Sequence, residues 1–531
     1  MREAAPARNV WFGVLLFVVA LVPRLWVALA WAGEPVWDGH YYDFGARRIA
    51  EGLGYSDDRT VGGQLVWHPW CHYPVGYSAF LAAFYRLFGA SPIVAGVANA
   101  LVGAALAVAT WALARYAMSE RRARVAGFVV ALYPGLVLYA ALIMSEPLAA
   151  LLTASAFWLA VRDARGSRGL ALGAAVLGLA ALVRPQALLC APFLSLTRFS
   201  LSLTPPPLRS GSVPATTSAT AGMGGARPLP PHPPAGTESV ALAGTESVPP
   251  AGPESVALAG TESVPLAGHA NAWVALLRDG VVATAVALCV VLPWTVRNCR
   301  VMDGCALVST NAGWNLAIGA FPRATGRFET LRSSDGCRDV TGQVQQDRCW
   351  LGYGLEQIRA APMRWFALIP AKLGYTFDHE SFAVEYLHEA RPATWLEPRR
   401  AALRGVTTFA YRLVLGAAAF GAIAFPARNR ARDTTVQGAL AAAALSLGAL
   451  AFLKETPLFW PLAVFAGVIP WLPMPGSPSR PPALLLGAAL LDTTLLAHAV
   501  FFGEDRYHVV VIPVLALFAA GALRRSTFAP A

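Results

Sequence analysis

Stretches of apolar residues, each about as long as a bilayer is thick, constrain this chain more than any motif does. They run near 11–32, 92–117, 125–144, 147–161, 169–183, 186–197, 273–296, 404–425, 435–453, 457–474, 482–502 and 507–523. About 20 such residues cross the hydrocarbon core as a helix, because lipid offers no partner to an unpaired backbone N–H or C=O. The expectation is an all-α integral membrane protein with about twelve transmembrane helices. Of 531 residues, 56% are hydrophobic and 14% charged, against about 25% charged in an average soluble domain. Mean hydropathy is +0.49. A soluble enzyme, a disordered chain, a coiled coil and a nucleic-acid-binding module are all poor fits.

The formal net charge of +11 suggests nucleic acid only until it is located. Basic residues cluster between apolar spans, as in Arg121-Arg122-Ala123-Arg124 and Arg428-Asn429-Arg430-Ala431-Arg432, and nearly all are arginine. That distribution marks cytoplasmic loops. With the N-terminus inside, clusters at 115–124, 162–168, 198, 428–432 and 524–525 fall on one side, so both termini are expected in the cytoplasm. The first apolar run continues to about Trp31, too long for the core of a signal peptide, and Arg24 interrupts it near the Ala28-Leu29-Ala30 that resembles a cleavage site. It reads as a first membrane helix.

Two long loops then lie on the outer face, about 33–90 and 297–403. In the first, Phe44–Leu53 and Ser78–Phe88 read as short interfacial helices. The second carries charges of both signs and should fold as a small unit. Residues 203–270 are different: Ala235-Gly236-Thr237-Glu238-Ser239-Val240-Ala241-Leu242 begins an octapeptide that recurs from Ala243, Ala251 and Ala259. So short a period, without aromatic residues, reads as a disordered cytoplasmic linker. It divides the chain into an N-terminal half (1–202) and a C-terminal half (271–531).

Under this topology Asp38, Glu146, Arg184, Arg297, Lys454, Glu455, Glu504, Asp505 and Arg506 all map to outer helix ends. Charges gathered at one depth are costly and suggest an outward-opening polar cavity, although any one of them could simply end a helix. Asp38 follows the first helix between Trp37 and Gly39, with Tyr41 and Tyr42 nearby. A carboxylate walled by aromatic rings can serve as general base toward a hydroxyl; Asp43 and the Asp57-Asp58 pair compete, and an interfacial Asp can also merely cap its helix. Arg184, Arg297 and Arg506 each sit at the edge of an apolar span. The planar fork of arginine suits phosphate, whereas an isolated arginine would snorkel to headgroups.

His68-Pro69-Trp70-Cys71-His72 offers three metal-ligand types within five residues, but it lacks a matching second pair. Cys337 with Cys349, and Cys299 with Cys305, are candidate disulfides in an oxidising outer loop. Phosphate-loop, dinucleotide-binding and nucleophile-elbow motifs are absent, which disfavours ATP-driven pumps and the corresponding hydrolases.

Several segments together resemble a known family. They are Asp38-Gly39-His40-Tyr41-Tyr42, Ala46-Arg47-Arg48-Ile49-Ala50-Glu51-Gly52-Leu53-Gly54-Tyr55, Tyr73-Pro74-Val75-Gly76-Tyr77, Ser145-Glu146-Pro147, Leu182-Val183-Arg184-Pro185, Pro293-Trp294-Thr295-Val296-Arg297-Asn298, Asn311-Ala312-Gly313-Trp314-Asn315-Leu316-Ala317-Ile318-Gly319 and Arg506-Tyr507-His508. Their order resembles glycosyltransferase family 39, relatives of protein O-mannosyltransferase and of the lipid A aminoarabinose transferase. The resemblance implies a C-type glycosyltransferase fold in the plasma membrane. It implies inverting transfer of a sugar from a polyprenyl-phosphate donor to an envelope lipid, glycan or protein acceptor on the extracytoplasmic face. By that resemblance Asp38 is the catalytic aspartate and Glu146 a second carboxylate of the same cavity. Arg184, Arg297 and Arg506 fall near the donor phosphate, with His72 where relatives carry a basic residue. Tyr41, Tyr42 and Tyr77 are expected to line the sugar or acceptor. No cofactor is expected, a divalent metal being the alternative, and the partners are the lipid-linked donor, its acceptor and membrane lipids, not nucleic acid. The competing reading is a transporter or flippase of a lipid-linked sugar. An oligosaccharide polymerase or ligase would use similar donors.

Overall fold

The computed structural model describes residues 6–164, 166–198, 266–424, 433–453, 458–472 and 480–523. The repeat at 203–265, the basic clusters at 428–432 and 524–525, and Lys454 and Glu455 lie outside the described residues. Leu266–Ala270, read as the end of the linker, begin a long helix instead.

The elements follow in chain order. Helix α1 (Pro6–Trp31) precedes α2 (Asp38–Ala50), a hairpin of β1 (Ser56–Val61) and β2 (Gln64–Pro69), and α3 (Val75–Phe88). Then come α4 (Pro92–Ala114), α5 (Glu120–Leu132), α6 (Pro134–Leu138), α7 (Glu146–Arg162) and α8 (Ser167–Val183). After the repeat, α9 (Leu266–Val301) leads into α10 (Ala312–Ala320), α11 (Gln343–Ala360), α12 (Pro362–Ala367), α13 (Ile369–Phe377) and α14 (Phe382–Ala390). The last helices are α15 (Glu397–Ala424), α16 (Asp433–Leu453), α17 (Trp460–Val468), α18 (Pro482–Val500) and α19 (Ile512–Gly521). Residues from both sides of the repeat, among them Leu16, Trp111, Leu462 and Phe518, share one hydrophobic core.

Among the described residues, five helices are long and apolar enough to cross a membrane: Asn9–Trp31, Pro92–Ala114, Ala272–Val301, Glu397–Ile423 and Pro482–Val500. Exposed Trp11, Leu15, Val22, Trp273, Val281 and Leu413 line such helices, as a lipid-facing surface requires. The chain is thus a helical, multi-pass membrane protein, though five such helices, or six with a bent pair, fall short of the twelve expected. Part of the difference is proline chemistry. The expected span at 186–197 is two 3-10 turns, Pro185–Cys190 and Pro192–Ser195, because proline disfavours helical backbone just before it and donates no N–H.

Proline also breaks the span expected at 125–144. Tyr133 is extended before Pro134, and the two segments meet at 49°. The carbonyls of Val130 and Ala131, both fully buried, then lose their helical partners. Arg24, fully buried in α1, donates to them at 2.9 and 2.5 Å and to Ala20 at 2.8 Å. Its guanidinium lies against Gly103, where a Cβ would sit 2.4 Å from Nε. The arginine that interrupts the first apolar run is therefore internal capping for a broken neighbour.

The loop at 33–90 departs from an all-α reading. β1 and β2 pair antiparallel over six residues each, from Ser56 opposite Pro69 to Val61 opposite Gln64. Gly62 and Gly63 turn the chain at φ 60° and 84°, as a two-residue hairpin turn demands. The helix expected at Phe44–Leu53 starts earlier, at Asp38. In the second long loop, disulfides Cys299–Cys305 and Cys337–Cys349 both form.

Replacing Arg24 with Met should strand the Val130 and Ala131 carbonyls. At about 1–3 kcal/mol for an unsatisfied buried group, the melting temperature of the detergent-purified protein should fall by several degrees. An unchanged Tm would show that the break is capped by other means.

Candidate active site

Asp38 opens α2, and the backbone that delivers it is unusual. Trp37 has φ 51°, the one non-glycine residue with positive φ among those described. Such a conformation costs on the order of 1–3 kcal/mol and persists only where the surroundings enforce it. Here the Trp37 ring packs on Phe382 and Tyr386 of α14, with centroids at 5.4 and 5.8 Å. Gly39 follows because a Cβ there would lie 2.2 Å from the Tyr386 hydroxyl. The second long loop thereby fixes where the first places its carboxylate.

The Asp38 carboxylate is held on both oxygens. Tyr73 donates to Oδ1 at 2.8 Å, and Arg506 Nη1 donates to Oδ2 at 2.5 Å. Burial favours the neutral acid, but Arg506 and Tyr73 outweigh it and hold the group below the usual carboxylate range. Arg506 stands in a 3-10 turn, Asp505–Val511, that leads into α19. Its Nε lies 2.5 Å from Glu504 Oε2, and its Nη2 donates to the Tyr507 hydroxyl at 3.2 Å. Asp505 locks the same turn to α14 by accepting from the Ser381 and Phe382 N–H groups and from Ser381 Oγ.

A second ion pair stands beside the first. Glu146 begins α7, and its Oε1 accepts from Arg184 Nη1 at 2.6 Å. The carboxylate is wholly buried and its Oε2 has no partner. Arg184 ends α8 in extended backbone because Pro185 follows, so its side chain leaves the helix axis toward Glu146. The Tyr507 ring joins the two pairs: Arg184 stands 5.3 Å and Arg506 5.0 Å from its centroid. An open recess has Arg184, Gln186, His498 and Tyr507 among its lining residues, with Ala149, Ala187, Leu490 and Val510 as apolar wall.

Of the residues expected from sequence, Asp38, Glu146, Arg184 and Arg506 thus come together. Tyr41 stacks on Tyr73 and Trp70, at 5.2 and 5.9 Å, and as a residue is 45% exposed. His72 meets the rings of Tyr73 and Trp314; burial lowers its pKa from 6.5, so at pH 7 it offers hydrogen bonding and not charge. Tyr42 is buried, sharing a hydrogen bond with Ser145 at 3.3 Å.

Two expected residues are placed elsewhere. Arg297 donates to the carbonyls of Tyr55 and Trp70 at 2.7 and 2.9 Å, which ties the base of the hairpin to α9. Tyr77 is completely buried and donates to Asn99 at 3.0 Å, joining α3 to α4. The three metal-ligand types at 68–72 diverge as well. His68 pairs with Asp57 across the hairpin at 2.7 Å, Cys71 is buried beside Thr310, and His72 faces Trp314. Among the described residues no three His, Cys, Asp or Glu side chains converge on one point.

Sequence reasoning passed over Tyr73, Tyr507 and Phe382 as site residues. Tyr73 and Tyr507 lie inside quoted motifs, next to residues that were chosen. Phe382, 5.1 Å under the Arg506 guanidinium, has no local signal, since only the packing of α14 brings it there.

No family model matches the chain, and no curated protein matches it either. Among solved structures, the chain is similar to the oligosaccharyltransferase of Archaeoglobus fulgidus tethered to an acceptor peptide, at 14% identity and a TM-score of 0.41. The same archaeal enzyme, AglB, with an inhibitory peptide and dolichol-phosphate gives 13% and 0.43. ArnT from Cupriavidus metallidurans bound to undecaprenyl phosphate gives 15% and 0.32. These alignments cover 96%, 96% and 98% of this chain, but 49%, 50% and 78% of the others. The chain spans about half the length of the archaeal enzyme.

Tyr73→Phe removes one of the two donors on Asp38. The Asp38 pKa should rise, so the acid limb of any activity that needs its carboxylate should move to higher pH. An unmoved acid limb in Tyr73→Phe would show that this hydrogen bond does not tune Asp38.

Proposed function

We propose that the protein is a membrane glycosyltransferase that moves a sugar from a polyprenyl-phosphate donor to an envelope lipid, glycan or protein acceptor on the extracytoplasmic face. The observation that carries this reading is the pairing of Asp38 and Glu146 with Arg506 and Arg184 around one tyrosine ring, beside an apolar-walled cavity. Two guanidiniums set about one tyrosine ring suit a phosphate, and an apolar recess next to them suits a hydrocarbon tail.

In this mechanism Arg184 and Arg506 hold the donor phosphate, which departs as the leaving group. Charge that grows on it is met by donors already in place, usually the largest contribution to such a transfer. Asp38, kept ionised, accepts the proton of the acceptor hydroxyl as that oxygen attacks the anomeric carbon from the face opposite the phosphate. The exposed ring of Tyr41, stacked against Tyr73 and Trp70, offers an apolar face for a sugar. Glu146 keeps Arg184 turned inward from its place at the helix end.

Asp38→Asn keeps both hydrogen-bond partners within reach but cannot take the proton. It should fold normally and lower transfer by about 10²- to 10⁴-fold. The experiment compares cells lacking the protein with cells carrying wild type or Asp38→Asn, by mass spectrometry of polyprenyl-phosphate sugars and envelope glycolipids. The expected result is a lipid-linked monosaccharide that accumulates, an envelope species short of the same sugar mass, and no rescue by Asp38→Asn. Full rescue would remove Asp38 as the base and favour a transporter of the lipid-linked sugar.

A further inference from the structure

Arg506 is more heavily engaged than phosphate binding alone requires. Nη1 meets Asp38, Nη2 meets Tyr507 and Nε meets Glu504. Asp38 and Glu504 are both acidic, so a donor phosphate arriving at this guanidinium joins two carboxylates already on it. Only one of the two is well placed to give way. Asp38 has a second donor in Tyr73 and is needed ionised, whereas Glu504 relies on Arg506 and keeps 27% of its side chain open to solvent.

The backbone under Glu504 is fixed. Gly503 N–H donates to the Gly326 carbonyl at 2.8 Å, and Lys372 Nζ donates to the Val500 carbonyl at 3.0 Å, capping the end of α18. Charged groups face Glu504 from each neighbouring element. Asp505 and Arg506 belong to its own turn, Asp38 comes from α2 and Glu146 from α7. Arg327, whose backbone bridges Gly503, turns its guanidinium to Glu329. Arg506 is therefore the cation that compensates Glu504.

Resting on the transferase reading above, we propose that Glu504 is a positioning residue. It holds Arg506 by the ion pair at Nε, and its carboxylate competes with the donor phosphate for the same guanidinium, so that donor capture is favoured when Glu504 is uncharged and transfer when it is charged. Burial raises Glu504 to about 7, against the pull of Arg506, which places the exchange at ordinary pH. The sign follows: as pH falls through that range Glu504 takes up a proton, one negative charge leaves the site, and an anion binds more tightly.

The test uses the full chain in detergent and a probe whose own charge does not titrate there. Methyl farnesyl phosphate, a phosphodiester with one fixed negative charge, is compared with farnesol by quenching of tryptophan fluorescence. In wild type the phosphodiester should bind more tightly at about pH 6 than at about pH 8. Glu504→Gln should bind it about tenfold more tightly than wild type at the higher pH, the effect of one unit charge about 10 Å away at an effective dielectric near 20, with little pH dependence. Glu504→Asp should restore the pH step. In transfer assays Glu504→Gln should lower KM for the donor and also lower kcat, a split that simple misfolding does not produce.

If wild type binds the phosphodiester no better than farnesol, the transferase reading fails and this proposal falls with it. If wild type prefers the phosphodiester but its affinity is flat across that pH range, or Glu504→Gln behaves as wild type, the proposal is overturned and the transferase reading stands. A Glu504→Gln chain that does not fold leaves the decision to the wild-type pH profile and to Glu504→Asp.

Discussion

The guanidinium of Arg506 is the group on which the rest of the site depends. A charge nearly withdrawn from water must be matched by others, because one left alone there costs several kcal/mol. Arg506 is matched by Asp38 and Glu504, and each match recruits a different part of the chain. Asp38 belongs to the first long loop, Glu504 and Arg506 to the end of α18 and the turn after it, and Phe382 beneath them to the second long loop. Three segments, each more than a hundred residues from the next, are thereby held together. Asp505 does the same for the backbone, since its carboxylate caps α14 from the turn that presents Arg506.

This arrangement explains why the strained residue lies where it does. Trp37 is held at positive φ by α14, and α14 is held by Asp505. Loosening the second long loop would let Trp37 relax and would carry Asp38 away from Arg506. The bend between α5 and α6 shows the same logic on the membrane side. There Arg24 is spent wholly on backbone carbonyls, and its charge serves packing and no ligand. Two buried arginines in one chain thus have opposite assignments, and the difference lies in their partners. Arg24 meets carbonyls alone, whereas Arg506 meets two carboxylates, of which Glu504 is the one that yields to an anion on the proposed reading.

The legible part of this molecule was whatever one residue type at one place could signal. Apolar length located the long helices, and the Cys spacing within the second loop paired as expected. Asp38, Glu146, Arg184 and Arg506 were visible because charges at helix ends are rare in such a chain. What stayed hidden depends on partners remote in sequence. Arg297 looks like a phosphate ligand until the hairpin carbonyls occupy it. Tyr77 looks like Tyr73 until Asn99 is found behind it. The hairpin has one local signal, Gly62-Gly63, and little else, because Ser56–Val61 is almost wholly polar and carries no apolar alternation.

The two ion pairs also differ in what they can give up, and that difference orders the chemistry. Glu146 is sealed, and with Arg184 as its partner and an orphaned Oε2 it has no path by which to exchange with solvent. Glu504 keeps an opening, so its charge can follow the medium. A phosphate entering between Arg184 and Arg506 would therefore meet one arginine firmly committed to its carboxylate and one whose commitment is divided. On the proposed reading, selection of the anion falls to Arg506. Asp38 keeps both Arg506 and Tyr73 while Glu504 yields, so the carboxylate that must take the proton stays held as the leaving group arrives.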